Sequence, residues 1–547
     1  MRHLFIINVV ITAKFAILFL VVFLAMPLAD AAEDIQSCLN KKPNIHFDPQ
    51  PIFDESKEDI IFLHRWANAL HTTTREFTLK NEAAFFLARC EKGPAELAEL
   101  ERYLRSKKYI KDASVTVTHH IKHEPTIEIK TWDTWSLMPA LSFGRKGGVN
   151  TYSFGLKDRN LLGLGINAEI ESYTNIQRSG YKLVSTIPLY QKMNTDLSLK
   201  FADNDDGEQQ AIRLHKSFAS FHTKYAFNIA LNEESRVDTI YQNDSIQTLF
   251  SHKISYKTLN YAWLVENNNR SVFRLNLGVT QDQHLFYPLS DNHLAGLPVN
   301  QSPKSREFIY PWLGMEYVEK NFKKMTNIHL INQIEDFNHG WQITSSIGIG
   351  DGKKFNSAWL FWQANIKKGF TLNDDGLLLM NLSMSGDIYD QGHNRILSSI
   401  HTEYFHKLSK NWGFYINNVN VLSDNQYQDQ PITMGGDLGL RGFPLAYQHG
   451  KHSIKLTSEL RYYPQINILK IFDVAGAIFF DTGKAFGDVI EENIEKGWLV
   501  SSGIGFRFYS PHTGGNHNII HLDLAFPQSD NPDIDDVEIR VQAKKSF

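Results

Sequence analysis

The sequence predicts a membrane all-β fold: an antiparallel transmembrane β-barrel preceded by a small α+β domain. Three observations carry that reading. From Trp135 onward, segments of about ten residues alternate apolar and polar side chains between breaks rich in Gly, Asn and Asp. After residue 32 no apolar run approaches the roughly 18 residues that a membrane helix needs. The chain closes on an amphipathic strand ending in Phe547.

The N-terminus reads as a targeting segment. Arg2, His3 and Lys14 make a basic start, positions 15 to 25 are almost unbroken apolar sequence, and Ala29-Asp30-Ala31 offers small residues where a signal peptidase cuts. Residues 1–31 are therefore expected to be a cleaved signal peptide. An uncleaved anchor would share the apolar run, but Pro27 and the A-x-A site follow it at once. Cys38 follows no lipobox-like sequence, which argues against a lipoprotein. Cys38 and Cys90 make an isolated pair, which in an exported chain favours a disulfide over a metal or catalytic site. The formal charge of −4 leaves no basic excess for nucleic acid.

Residues 32–131 mix helical and strand patterns. Ile45 and Phe47 alternate with polar neighbours, and Phe62, Trp66 and Leu70 recur at four-residue spacing, which predicts a helix. A second helix is expected near residues 78 to 88. A third opens at Pro94 and carries Leu97, Leu100 and Leu104 on one face. Alternation then returns at Ala113, Val115 and Val117, and again at Ile127 and Ile129.

Residues 132–547 form the barrel region. Aromatic residues cluster near segment ends, as an interfacial girdle requires. A soluble all-β protein would show the same alternation. The last hundred residues are clearest: Ile454, Leu456, Leu460 and Tyr462 share one parity against Lys455, Thr457, Glu459 and Arg461. In the same way Ile478 and Phe480 oppose Phe479 and Asp481, and Ile520, Leu522, Leu524 and Phe526 oppose His521 and Asp523. In the final strand Val537, Ile539 and Val541 oppose Glu538 and Arg540.

The stretch Gly435-Gly436-Asp437-Leu438-Gly439-Leu440-Arg441-Gly442-Phe443-Pro444 sets one arginine in a glycine-rich loop. Parity points Glu459 and Asp481 into the lumen from adjacent strands, where a planar guanidinium could bind both. Spacing alone leaves open that these are three unrelated charges, one on a solvated loop and two on a wet wall.

Leu440-Arg441-Gly442-Phe443, Glu459-Leu460-Arg461-Tyr462 and Phe480-Asp481-Thr482-Gly483, in this order before a terminal Phe, resemble the outer-membrane assembly and secretion superfamily of POTRA-plus-barrel proteins. This bacterial surface antigen family includes BamA-like, TamA-like and two-partner-secretion translocators. The segment 109–115 (Tyr-Ile-Lys-Asp-Ala-Ser-Val) resembles the end of a POTRA domain, and Asp158-Arg159-Asn160-Leu161-Leu162-Gly163-Leu164-Gly165 an early-barrel motif of the family.

The resemblance implies an outer-membrane barrel of about sixteen strands with its POTRA domain in the periplasm. Arg441, Gly442, Phe443, Glu459, Asp481 and Gly483 would form an internal loop latch, and Phe547 an assembly signal read by the barrel assembly machinery. The expected partners are the bilayer and unfolded outer-membrane or secreted polypeptide clients. The implied function is insertion, assembly or translocation of polypeptides; alternatives are a translocator for one dedicated exoprotein, or a passive porin or surface antigen. A single POTRA-like module and a helical segment near residues 58–70 depart from the family pattern. So does an upstream segment count that exceeds the expected number of strands, which leaves a larger barrel open.

Other chemistry finds little support. His119, His120 and His123 lie in an expected turn without ligand spacing, so a solvated turn is preferred to a metal site. Neither G-x-S-x-G nor H-E-x-x-H occurs, so no enzyme activity, cofactor or metal is expected.

Overall fold

A chain that crosses a bilayer with strands must close its sheet, because hydrocarbon cannot satisfy an open edge. The computed structural model describes residues 44–56, 60–87, 93–118, 126–189, 194–289, 302–352, 357–373, 375–389, 394–436, 439–487, 492–513 and 519–544. The expected signal peptide, Cys38, Cys90, the cluster His119, His120 and His123, Asp437 and Phe547 lie outside the described residues.

Twenty antiparallel strands close into a barrel running in chain order from Leu137–Lys146 to Glu538–Lys544. The expectation of sixteen is corrected. Five strands follow the loop that carries Arg441, as expected, but fifteen precede it. The surplus upstream segments belong to the wall: Ser245–Asn267, 23 residues long, is paired along most of its length on both sides. Alternation is identical in wall strands and protruding hairpins, so the sequence pattern could not separate them. Barrel diameter grows with strand number, and the wider lumen has room for two inserted loops.

The wall is polar inside and apolar outside. Ile478, Phe506 and Ile539 are more than half exposed, whereas the intervening Asp481, Arg507, Asp523 and Arg540 are wholly buried. A soluble barrel would place its apolar side chains inward. This polarity is that of a barrel facing hydrocarbon, and it decides against the soluble alternative.

Closure is uneven. The first strand pairs with its successor at ten positions, from Leu137↔Asp158 to Lys146↔Val149. Among the described residues it shares a single ladder pair with the last strand, Val541↔Arg145.

Ahead of the barrel lies a three-stranded sheet, β1 (Asn44–Gln50), β2 (Ile110–Thr118) and β3 (Thr126–Asp133), ordered β1-β3-β2. The helices α1 (Phe62–Leu70), α2 (Glu76–Glu82), α3 (Ala84–Leu87) and α4 (Pro94–Arg105) lie between β1 and β2 in the chain, and α2, α3 and α4 pack against the sheet. Phe47, Leu79, Phe86, Leu100, Leu104 and Ile129 form its core. Beside that core Glu82 accepts hydrogen bonds from the hydroxyls of Tyr103 and Tyr109 and pairs with Lys107 at 2.5 Å. Burial opposes the Lys107 charge, yet Tyr103 and Glu82 hold its ammonium well above the usual lysine range.

The stripe Phe62, Trp66 and Leu70 does not enter this core: all three are exposed. The opposite face, with His64 and Ala67, packs with Ile52, Phe53 and the barrel's Ile471, and His64 contacts the Leu469 carbonyl at 2.6 Å. Periodicity identifies a helix but not which face another surface will claim.

The N-terminal unit sits on one rim. Arg75 N–H donates to Gly163 O at 3.0 Å, Phe221 N–H to Glu99 at 2.7 Å, and Trp135 N–H to His512 O at 2.6 Å. The hairpin Phe322–Thr326/Ile334–Asn338 joins the same rim through Arg105–Asp336 at 2.6 Å and Lys324–Glu101 at 2.8 Å. Its tip turns into the lumen, where Leu330 and Ile331 pack on Tyr463, Ala475, Ala477 and Tyr509.

Candidate functional site

Residues 425–451 connect the strands Trp412–Asp424 and His452–Ile468 and fold inward from the opposite rim. Two glycines make the path possible. Gly442 has φ of +90°, and a β-carbon there would lie 3.0 Å from Pro527. On the wall, a β-carbon at Gly483 would meet Leu440 and Met434 at 2.8 Å, so its bare backbone is what admits the loop. Phe443 is fully buried with Met434, Leu440, Tyr447, Ala485 and Leu499.

That anchoring aims Arg441 at the wall. Its Nε and Nη2 donate to the two Asp481 oxygens at 2.6 and 2.8 Å, a bidentate fork. Nη1 donates to Glu459 Oε1 at 3.2 Å and lies 3.8 Å from Asp523. The guanidinium also stacks over the Phe479 ring, 3.4 Å from its centroid. Arg441, Glu459 and Asp481 are all buried. The structure thus brings Arg441, Gly442, Phe443, Glu459, Asp481 and Gly483 together at one place.

Several participants were not singled out from sequence. Arg507 donates to Asp523 at 2.6 Å, and Arg461 donates to Glu459 at 3.0 Å. Three guanidinium groups thus alternate with three carboxylates, the arrangement that offsets the desolvation of buried charges. Inward parity marked Arg461 and Asp523, but pairing across strands needs the register. Arg461 also donates from Nη1 to the Ile328 carbonyl at 3.2 Å. Glu459 and Arg461 therefore join the loop from one rim to the hairpin tip from the other.

Glu538 is a further member. One oxygen accepts the Gly442 N–H at 2.7 Å, and the other accepts the N–H of Gly147, in the turn after the first strand. One carboxylate on the last strand thus holds both the first hairpin and the inserted loop. Sequence parity set Glu538 inward but offered no sign of its partners, which are backbone amides far away in the chain.

Fold and site together define a class: a closed, lipid-facing β-barrel with a small α+β unit on one rim and an arginine-anchored loop inside. No protein-family model and no curated protein matches the chain. Among solved structures, CdiB from Escherichia coli is similar over 92% of this chain and 76% of its own, with 11% identity and a TM-score of 0.45. CdiB from Acinetobacter baumannii covers 91% and 73% at 11% identity and 0.40. BamA from Haemophilus ducreyi lacking POTRA domains 1–3 covers 91% and 83% at 12% identity and 0.36.

Proposed function

We propose that the chain is an outer-membrane barrel that inserts or translocates other polypeptides, with its N-terminal unit acting as a periplasmic POTRA domain. The observation that carries this reading is the seam. Among the described residues the first and last strands share one ladder pair, and Glu538 adds a contact from the last strand to the turn after the first. Parting them exposes strand edges that are costly in lipid until an incoming strand pairs with them. The edge strand β2 is a second surface on which an extended client can add a strand. The work is physical templating, with no covalent step.

Two loops inside the lumen argue against a passive porin. The test is a seam lock. Arg145→Cys with Val541→Cys, oxidised in proteoliposomes, should stop insertion of an unfolded outer-membrane client, and reductant should restore it. A locked barrel that still inserts clients at the full rate would sink the proposal. A locked barrel that inserts none yet still passes a secreted passenger would favour the dedicated translocator.

A further inference from the structure

A second charged cluster lies away from the latch, where the strands Tyr225–Gln242, Ser245–Asn267 and Ser271–Pro288 meet the inserted loop. The register sets His252 opposite Phe286 and His284 opposite Ile254, so the two imidazoles are diagonal neighbours. His252 Nε2 and His284 Nδ1 face each other at 2.9 Å. Behind them, His252 Nδ1 lies 2.6 Å from Asp238, and His284 Nε2 lies 3.2 Å from Asp282.

Two contacts in the row Asp238, His252, His284, Asp282 are hydrogen bonds, Asp238 to His252 and His252 to His284, while Asp282 meets His284 as an ion-pair contact at 3.2 Å. Ionised carboxylates bring none, and two neutral imidazoles bring one each. If both rings donate outward to their carboxylates, two lone pairs face one another across the middle contact. In that tautomer the two nitrogens offer their lone pairs to one shared cation, a proton or a metal ion.

The surroundings favour the metal. Asp429, whose side chain is nearly fully buried, brings a carboxylate so that one atom from each of His252, His284 and Asp429 lies within 4.8 Å of the others. Arg306 forks onto both Asp429 oxygens at 2.8 and 2.9 Å, which fixes the carboxylate and leaves lone pairs on each oxygen.

We infer that His252 Nε2, His284 Nδ1 and Asp429 bind a divalent transition metal of the zinc type, with a fourth position open to water. Imidazole and carboxylate ligands suit that class. Carboxylates behind both rings are the outer partners that orient metal-binding histidines. Tetrahedral zinc needs its two nitrogens about 3.3 Å apart, a slight parting of the pair. Because Asp429 belongs to the same loop as Arg441, the ion would pin that loop to the wall at a second point.

The test uses the full chain without an affinity tag, stripped with chelator and titrated with Zn2+ in detergent. His119, His120 and His123 could also take up metal, so the measured quantity is the difference between proteins. Wild type should bind one equivalent more than His252→Ala/His284→Ala, and Co2+ should give a tetrahedral visible band that the double variant lacks. Asp429→Asn leaves the wall intact and should weaken uptake about 10- to 100-fold, which keeps the test decisive if the double variant misfolds. Equal uptake by wild type and Asp429→Asn, without the cobalt band, would overturn the site and assign the middle contact to a shared proton.

Discussion

Glu538 on the closing strand accepts the Gly442 amide of the inserted loop at 2.7 Å while its second oxygen holds Gly147. Loop position and seam closure therefore share one carboxylate. Glu538→Ala removes two charge-assisted bonds of about 1.5–3 kcal/mol each. The variant should open the seam more often, read as faster labelling of Val541→Cys by a membrane-excluded thiol reagent. Glu538→Gln retains one acceptor oxygen and should fall between the two. Unchanged labelling in Glu538→Ala would show that the seam is held elsewhere.

Arg441 and Asp481 form the strongest contact of the latch. Removing Arg441 strips Asp481 of its fork, and removing Asp481 leaves Arg441 with Glu459 alone at hydrogen-bond distance, each a buried imbalance costing up to about 3–5 kcal/mol. Arg441→Ala and Asp481→Ala should each lower the thermal stability of the folded barrel and reduce client handling. Arg441→Asp with Asp481→Arg should recover part of the loss. Arg441→Lys keeps the charge without the fork and should recover little.

The rim contact Arg105–Asp336 is coupled to the lumen through the hairpin whose Ile328 carbonyl Arg461 holds. Hydrogen exchange at residues 327–333 provides the readout. Arg105→Ala and Arg461→Ala should each speed exchange there, and their effects should depart from additivity by about 0.5 kcal/mol or more. Strict additivity would mean that rim and lumen anchor the hairpin independently.

His512 predicts a pH dependence at the rim. Its burial beside Phe53, with Lys111 and His64 adding repulsion, pushes its pKa down from 6.5 to about 3. The undocked state therefore binds a proton between these values that the docked state refuses, so docking weakens as pH falls below 6.5 and is unaffected above it. Protection of α1 amides should drop across that window in wild type and stay flat in His512→Phe.

Much of this was legible in the chain. Period-2 alternation set inward and outward parity in four of the last five strands, and with it the burial of Glu459, Asp481, Asp523 and Arg540. The glycines around Arg441 marked a backbone that turns tightly. Strand number was not legible, because Ser245–Asn267 reads the same whether it joins the wall or protrudes. Nor was the orientation of α1, whose apolar stripe Phe62, Trp66 and Leu70 faces out while His64 docks on the barrel.

What the sequence by itself determined is which side of each strand faces water and which faces lipid, since that depends only on spacing along one segment. Only the tertiary structure decided who meets whom. Asp481 reaches Arg441 from the strand next to the one carrying Glu459, His252 faces His284 across a diagonal, and Glu538 finds two amides, Gly147 and Gly442, some 391 and 96 residues away. Such contacts depend on register, strand number and the path of a loop through the lumen. Those are properties of the closed sheet as a whole, because each strand's position is set by its neighbours around the entire ring.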